Sequence, residues 1–429
     1  MQGSDFGRDD APGGHPAPPD AIAGSLWRLP AMLLLAGYTL GGFTGFFVTM
    51  SALPAWLAGR GTPEALAGLV TTVLLVATVG TQLLVPRLVQ RAGLTATLAA
   101  GLIKLGAPSL LLLIDGGLDW VLGICAVRGV GFGILTVLGS TMTARIVPPP
   151  RRGEALGIYG LAISMPNLLA VPGGVALVSA GHFVPVAIIG AAPLLSLLAV
   201  PALARSVRAR DPRVAPAPIR TSVAAQPDDP PTSAAAVGGR RSRRAAALAA
   251  IGPSVVLLVV TLAGGGFLTY LPIVRPDGSL ATVSLLVWGA TGALVRWRVG
   301  VLADRSGLSR LLPGSSAVAV VGVGIVVGGL LLTGPAGWVV TVLGAAVLGA
   351  GYGSAQNLTM VAAFARARQR ETATVSAVWN AGFDTGTALG AALVGGLTAW
   401  MTVPSALAVT GLLVALSIPL AVRSSRPPG

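Results

Sequence analysis

Four ionisable side chains, Lys104, Arg128, Arg296 and Asp384, lie inside long apolar runs of this 429-residue sequence. Charge in an apolar medium is costly and tends to be kept for a function. Asp384 is the one acid deep in such a run. It lies twelve residues into a helix predicted over 372–398, roughly 18 Å from its start at 1.5 Å per residue. A carboxyl group buried there without a cation favours its neutral form, so Asp384 is a candidate to bind and release a proton. The competing reading is a structural acid, hydrogen-bonded to a neighbouring helix or paired with an arginine. Arg128, roughly 15 Å into the helix predicted over 118–147, can bind an anion or pair with Asp384. Arg296 has a long stem that can snorkel towards an interface, and it is expected to serve a latch or gate rather than a ligand. Lys104 is expected to snorkel or pack. Tyr38, Asn167, Tyr270, Gln356, Asn357, Trp379 and Asn380 are candidates to line a cavity, although aromatics in such runs often only pack.

The elements that must position these residues follow from composition. The sequence is 53% hydrophobic and 10% charged, with a mean hydropathy of +0.80, whereas a soluble domain carries about 25% charged residues. The solvent for such a chain is a lipid bilayer. The net charge of +14 does not indicate nucleic-acid binding, because the arginines fall between apolar runs of spanning length. Spanning takes about 20 apolar residues, which places helices near 31–57, 65–89, 95–114, 118–147, 153–178, 183–205, 247–272, 279–300, 309–333, 337–364, 372–398 and 403–422.

The expected fold is therefore an all-α membrane protein of twelve transmembrane helices in two pseudo-symmetric six-helix bundles. Residues 1–30 form a cytoplasmic tail, 31–205 the first bundle and 206–246 a basic disordered cytoplasmic linker. Residues 247–422 form the second bundle and 423–429 a cytoplasmic tail. With both termini in the cytoplasm, the external loops hold only Arg60 and Arg275, as the positive-inside bias requires. The polar first 25 residues lack the pattern of a signal peptide, and the expected location is the cytoplasmic (inner) membrane, multi-pass. One cysteine, Cys125, and two distant histidines, His15 and His182, leave no expected metal site.

The halves repeat one another. Gly129-Val-Gly131-Phe-Gly133 is echoed by Gly349-Ala-Gly351-Tyr-Gly353, and Arg152-Gly153-Glu154-Ala155 by Arg370-Glu371-Thr372-Ala373. Thirteen residues beyond Glu154 and Glu371 stand Asn167 and Asp384. Parallel repeats of this kind suggest a transporter whose site lies between the halves. Between the eighth and ninth predicted helices stands Gly300-Val-Leu302-Ala-Asp304-Arg305-Ser-Gly307. It resembles the signature loop Gly-x-Leu-Ala-Asp-Arg-x-Gly of the major facilitator superfamily. The equivalent first-half stretch, residues 86–93, keeps Leu88, Arg91 and Gly93 but has Pro86 and Gln90 in place of the first Gly and the acid. Arg128 before its glycine-rich stretch is similar to the superfamily's helix-4 motif. Thr269-Tyr270-Leu271-Pro272 and Phe383-Asp384-Thr-Gly386 resemble a bacterial drug- or metabolite-efflux-like branch.

The resemblance implies a cytoplasmic latch of Gly300, Asp304, Arg305, Gly307, Arg91, Glu154, Glu371 and Arg296, made when the transporter faces outward. Asp304 would meet the positive end of the helix starting near Gly153, and Arg305 would pair with Glu154 or Glu371. Gly382, Gly386 and Gly390, spaced by four, are expected to let helices approach closely, either for packing or as a surface on which the halves rock. No Gly-x-x-x-x-Gly-Lys-Ser/Thr loop is present, so ATP-driven transport is not supported, and an enzyme is not expected. The expectation is a secondary active transporter, monomeric, with no cofactor beyond the coupling proton. It would export a small organic molecule, drug-like or a secondary metabolite, by alternating access in exchange for protons, with Asp384 as the proton carrier. The alternatives are a proton-coupled importer or facilitator and, in another class, a transporter-like sensor or scaffold.

Overall fold

A computed structural model of the protein describes residues 25–147, 152–210, 233–275, 278–365 and 372–426, and these contain helices and turns only. The helices are α1 (Pro30–Met50), α2 (Ala52–Gly59), α3 (Glu64–Leu111), α4 (Gly117–Ile146), α5 (Arg152–Ser179), α6 (Phe183–Gly190), α7 (Val200–Arg210), α8 (Ser233–Val274), α9 (Ser279–Ser306), α10 (Leu308–Leu331), α11 (Gly334–Phe364), α12 (Thr372–Leu397) and α13 (Val403–Ser424). A 3-10 segment, Ala192–Ala199, joins α6 to α7 in one apolar run. Among the described residues ten helical runs are long and apolar enough to cross a membrane. Their outward faces are as apolar as their cores: Leu83 is 73% exposed and Leu198 84%, a surface that water would not tolerate and lipid does. Helix extends into both ends of the expected linker, through Arg210 and from Ser233. Residues 211–232 lie outside the described residues.

The two spans expected at 65–89 and 95–114 are the two helical segments of α3. The run breaks at Gly93, with φ 79° and ψ 164°. At the corresponding place in the second half, Gly307 separates α9 from α10 with φ 80° and ψ 143°. Only glycine adopts that region without strain. The same turn therefore recurs at both copies of the signature loop, although the first copy lacks the acid.

The glycine triplets show the same duplication. Gly129 and Gly133 lie against the backbone of Leu74 and Thr78 in the first segment of α3, and Gly131 against Leu105 in its second. Gly349 and Gly353 lie against Trp288 and Gly292 of α9, and Gly351 against Ala319 of α10. A Cβ at any of these six positions would collide with the facing helix. Gly382, Gly386 and Gly390 fit α12 onto Ser254, Leu258 and Leu262 of α8. They thus pack the second half internally and do not form a surface between halves.

Within the first half α3 packs on α4, and α1 on α5 and the 3-10 segment. Within the second, α8 packs on α12, α9 on α11, and α10 on α11 and α13. The halves meet along α3–α12, α5–α9 and α2–α8. Replacing Gly307 by Ala forces a Cβ into the glycine-only region, at a cost of about 1–3 kcal/mol, and the melting temperature in detergent should fall. Gly324→Ala, where a Cβ would meet nothing within 4 Å, should leave it unchanged or raise it.

Candidate functional site

Asp384 is buried in the seam between α3 and α12. The Gln82 amide of α3 donates to its Oδ2 at 2.7 Å, and the same nitrogen donates to Thr136 Oγ1 of α4 at 3.3 Å. One turn further along α12, the Ala388 carbonyl accepts from Thr72 Oγ1 of α3 at 3.4 Å. No cationic side chain lies within ion-pair distance of Asp384 among the described residues. The carboxyl group is satisfied by a neutral amide from the opposite half.

The α5–α9 seam holds a cavity of about 30 Å³ lined by residues including Ser164, Asn167, Trp288, Arg296, Tyr352 and Gln356. That is room for about two water molecules. The Arg296 guanidinium donates through Nη1 to Gln356 Oε1 at 3.0 Å, and the Asn357 amide donates to the Arg296 carbonyl at 2.9 Å. Arg296, expected at a latch, thus stands in the cavity wall, because its side chain folds onto α11. Tyr352 packs between Trp288 and Phe383, with ring centroids 4.9 and 6.3 Å away. It also lines the cavity with Arg296 and Gln356.

The two seams are copies of one another. Gln82 lies eleven residues before Gly93, and Arg296 eleven before Gly307. Thr136 lies seven after Gly129, and Gln356 seven after Gly349. Asp384 and Asn167 are the third pair. Each seam therefore gathers the same three positions, from the helix before the signature turn, the glycine-triplet helix and the facing helix of the other half. One set, Gln82–Thr136–Asp384, carries an acid. The other, Arg296–Gln356–Asn167, carries a base. Sequence reasoning missed Gln82 and Thr136, and the signal that would have found them is this register.

The remaining candidates divide. Arg128 is not brought to Asp384. It is fully buried in the first half, where it donates to the Gly45 carbonyl at 2.7 Å, to Thr49 Oγ1 at 2.8 Å and to the Gly190 carbonyl at 3.5 Å. The physical reason is the helix break after Gly190, where α6 gives way to the 3-10 segment and a carbonyl needs a donor. Arg128 thus ties α4 to α1 and α6 instead of facing a cavity. Tyr38 is buried, its hydroxyl without a partner among the described residues, and Trp379 donates to Thr359 Oγ1 at 3.1 Å. Neither these nor Asn380, half-buried on α12, line the cavity. Lys104 is exposed on α3. Of the latch, Arg91 is exposed and Gly307 makes the turn. Glu371 lies outside the described residues, as do the side chains at Glu154, Asp304 and Arg305 and the surroundings of Gly300.

Tyr270 is at the end of the molecule opposite Gly93 and Gly307, and it does not line the α5–α9 cavity. It is fully buried on α8 with its hydroxyl against Gly68 of α3 and Gly395 of α12. At the same end Gly278 seats against Ser179 of α5. These contacts close that end between the halves.

The Major Facilitator Superfamily profile matches residues 35–383, and the chain belongs to that superfamily: it is a multi-pass membrane transporter of small molecules, not an enzyme. No curated protein sequence matches it significantly. Among solved structures it is similar to a bacterial homologue of the human lysosomal transporter Spinster, inward-facing and unoccupied, at 15% identity over 94% of this chain and 98% of that one, TM-score 0.69. It is also similar to a peptide transporter in complex with alafosfalin, at 15% identity over 92% and 95%, TM-score 0.67. The nucleoside transporter NupG is similar at 12% identity over 92% and 98%, TM-score 0.61. At these identities the likeness establishes the fold.

An added methyl at Gly68 would strike the Tyr270 hydroxyl. Gly68→Ala should destabilise the protein by about 1–3 kcal/mol through overpacking, and adding Tyr270→Phe, which deletes the hydroxyl but leaves the ring carbon Cζ 2.6 Å from the new Cβ, should recover only part of it. Thermal melts of the two single variants and the double variant check this.

Proposed function

We propose that the protein is a proton-coupled secondary transporter with alternating access, in which Asp384 carries the proton. The observation that carries the reading is the Gln82–Asp384 hydrogen bond at 2.7 Å between the halves. A neutral amide supports a carboxyl group in either protonation state, donating to a carboxylate or accepting from the acid. An arginine partner would commit it to the charged form. Because the bond crosses a surface along which the halves separate, proton binding and seam opening act on the same group. Counting α3 as two spans across Gly93 and adding α12 to the ten apolar runs gives twelve, six in each half. The arginine bias then puts both termini and the Gly93–Gly307 end in the cytoplasm, and makes the Tyr270 seal external. In the cytoplasmic (inner) membrane, Asp304 and Arg305 would latch the cytoplasmic end to the helix starts near Glu154 and Glu371.

The direction we propose is export of a small organic molecule in exchange for protons, by a monomer. A second reading, proton co-transport, is favoured by one observation: Arg296 has no carboxylate within ion-pair distance among the described residues. Neutralising Asp384 by a proton removes negative charge near Tyr352 and strengthens anion binding at Arg296, so proton and anion would board together.

Everted membrane vesicles carrying a lumenal pH dye separate these. When cationic, neutral and anionic dyes are added outside unenergised vesicles, exchange alkalinises the lumen and co-transport acidifies it. In Asp384→Asn the pH response should be lost while dye counterflow persists. A pH response in that variant equal to wild type contradicts the proton assignment.

A further inference from the structure

We infer that the Arg296 seam is an anion site that takes the carboxylate of a small aromatic or apolar organic acid, held between Arg296 and Asn167 across the two halves. The inference rests on the transport reading above and holds for either direction of coupling. Among the described residues the Arg296 guanidinium makes one side-chain hydrogen bond, to Gln356, out of five N–H donors in a fork that matches a carboxylate. Arg296 is half-buried in the cavity wall, and a cation partly withdrawn from water gains from a counter-charge. The protein supplies none within ion-pair distance among the described residues.

The same cavity holds two further donors without protein partners. The Asn167 side-chain amide has no hydrogen bond among the described residues, and the Trp288 indole N–H is buried and unpartnered. Asn167 belongs to α5 of the first half, and Arg296 and Trp288 to α9 of the second. An anion bridging them would replace the missing salt link between halves.

Chemistry and shape narrow the ligand. Volume for about two waters suits a carboxylate headgroup, and the body of the ligand would extend from it as the seam opens. That body would lie on Trp288 and Tyr352, whose rings stand 4.9 Å apart. The duplicate seam supplies an independent argument. At the same three positions it holds Gln82, Thr136 and Asp384, which suit a proton and repel an anion. The two copies have diverged to opposite charge, one for a proton and one for an anion.

The test uses the purified full-length protein in detergent and thermal stabilisation by three aryl carboxylates, benzoate, 3-phenylpropionate and indole-3-acetate, each against its neutral amide. At least one carboxylate should raise the melting temperature saturably, with its amide at least tenfold weaker. Arg296→Gln should weaken that carboxylate at least tenfold, and Arg296→Lys, which keeps charge but not the fork, should weaken it less. Asn167→Leu should weaken it several-fold, and it carries the test if Arg296→Gln fails to melt cooperatively. Equal responses to carboxylate and amide, no response to any carboxylate in wild type, or wild-type affinity in the variants overturns the site. Binding as expected without any Asp384-dependent proton movement in vesicles leaves the site standing and removes the transport reading. Proton coupling without carboxylate binding removes the site alone.

Discussion

A carboxyl or guanidinium group inside a helix that crosses hydrocarbon must be satisfied by other parts of the protein, because no bulk water reaches it. Arg128 is satisfied within the first half, whereas the groups around Asp384 and Arg296 belong to opposite halves or adjoin the surface between them. Asp384 of the second half takes its hydrogen bond from Gln82 of the first. Arg296 of the second half faces a cavity whose far wall carries Asn167 of the first. The halves cannot part without changing what these side chains touch. A charged group at the bilayer centre costs about 2.5–3.5 kcal/mol on insertion scales, and a hydrogen bond to a charged group returns about 1.5–3 kcal/mol. Loss of a single bond is therefore enough to bias one seam, and a proton or an anion can supply that bias.

Close helix packing makes the seams sharp. The glycine triplets bring α4 and α11 against the backbones of their neighbours, so each half behaves as a tightly fitted body. Positive-φ turns at Gly93 and Gly307 reverse the chain at equivalent places. Within this frame the duplication is close in backbone and divergent in charge. The first half keeps the turn but not the signature acid, having Gln90 where the second has Asp304. It places Asn167 where the second has Asp384, and Gln82 where the second has Arg296.

The architecture was readable because it follows from the bulk property of apolarity and from glycines whose backbone role does not depend on neighbours. The apolar runs and the repeat came from those signals, and the superfamily resemblance from the signature loop that ends at Gly307. The direction in which a buried charge points did not. A lipid-embedded helix is apolar on nearly every face, so no amphipathic stripe tells inside from outside. That is why Arg128 read as a cavity charge when it donates to the Gly45 and Gly190 carbonyls and to Thr49. It is also why Arg296 read as a latch when it folds onto Gln356. Tyr270 read as a cavity aromatic, yet its ring seals an end against two glycines, Gly68 and Gly395, far apart in sequence. Gln82 carried no charge to draw attention, and only its register from Gly93 connects it to Arg296.

The claim that most depends on these contacts is that Asp384 exchanges a proton while hydrogen-bonded to Gln82. Infrared difference spectroscopy of the reconstituted protein during a pH titration reads it directly. A protonated-carboxyl stretching band should appear on acidification, be absent from Asp384→Asn, and shift in frequency in Gln82→Leu, where the amide partner is gone. If no band depends on Asp384, or if the band is indifferent to Gln82, the seam does not carry the proton and the coupling described above is wrong.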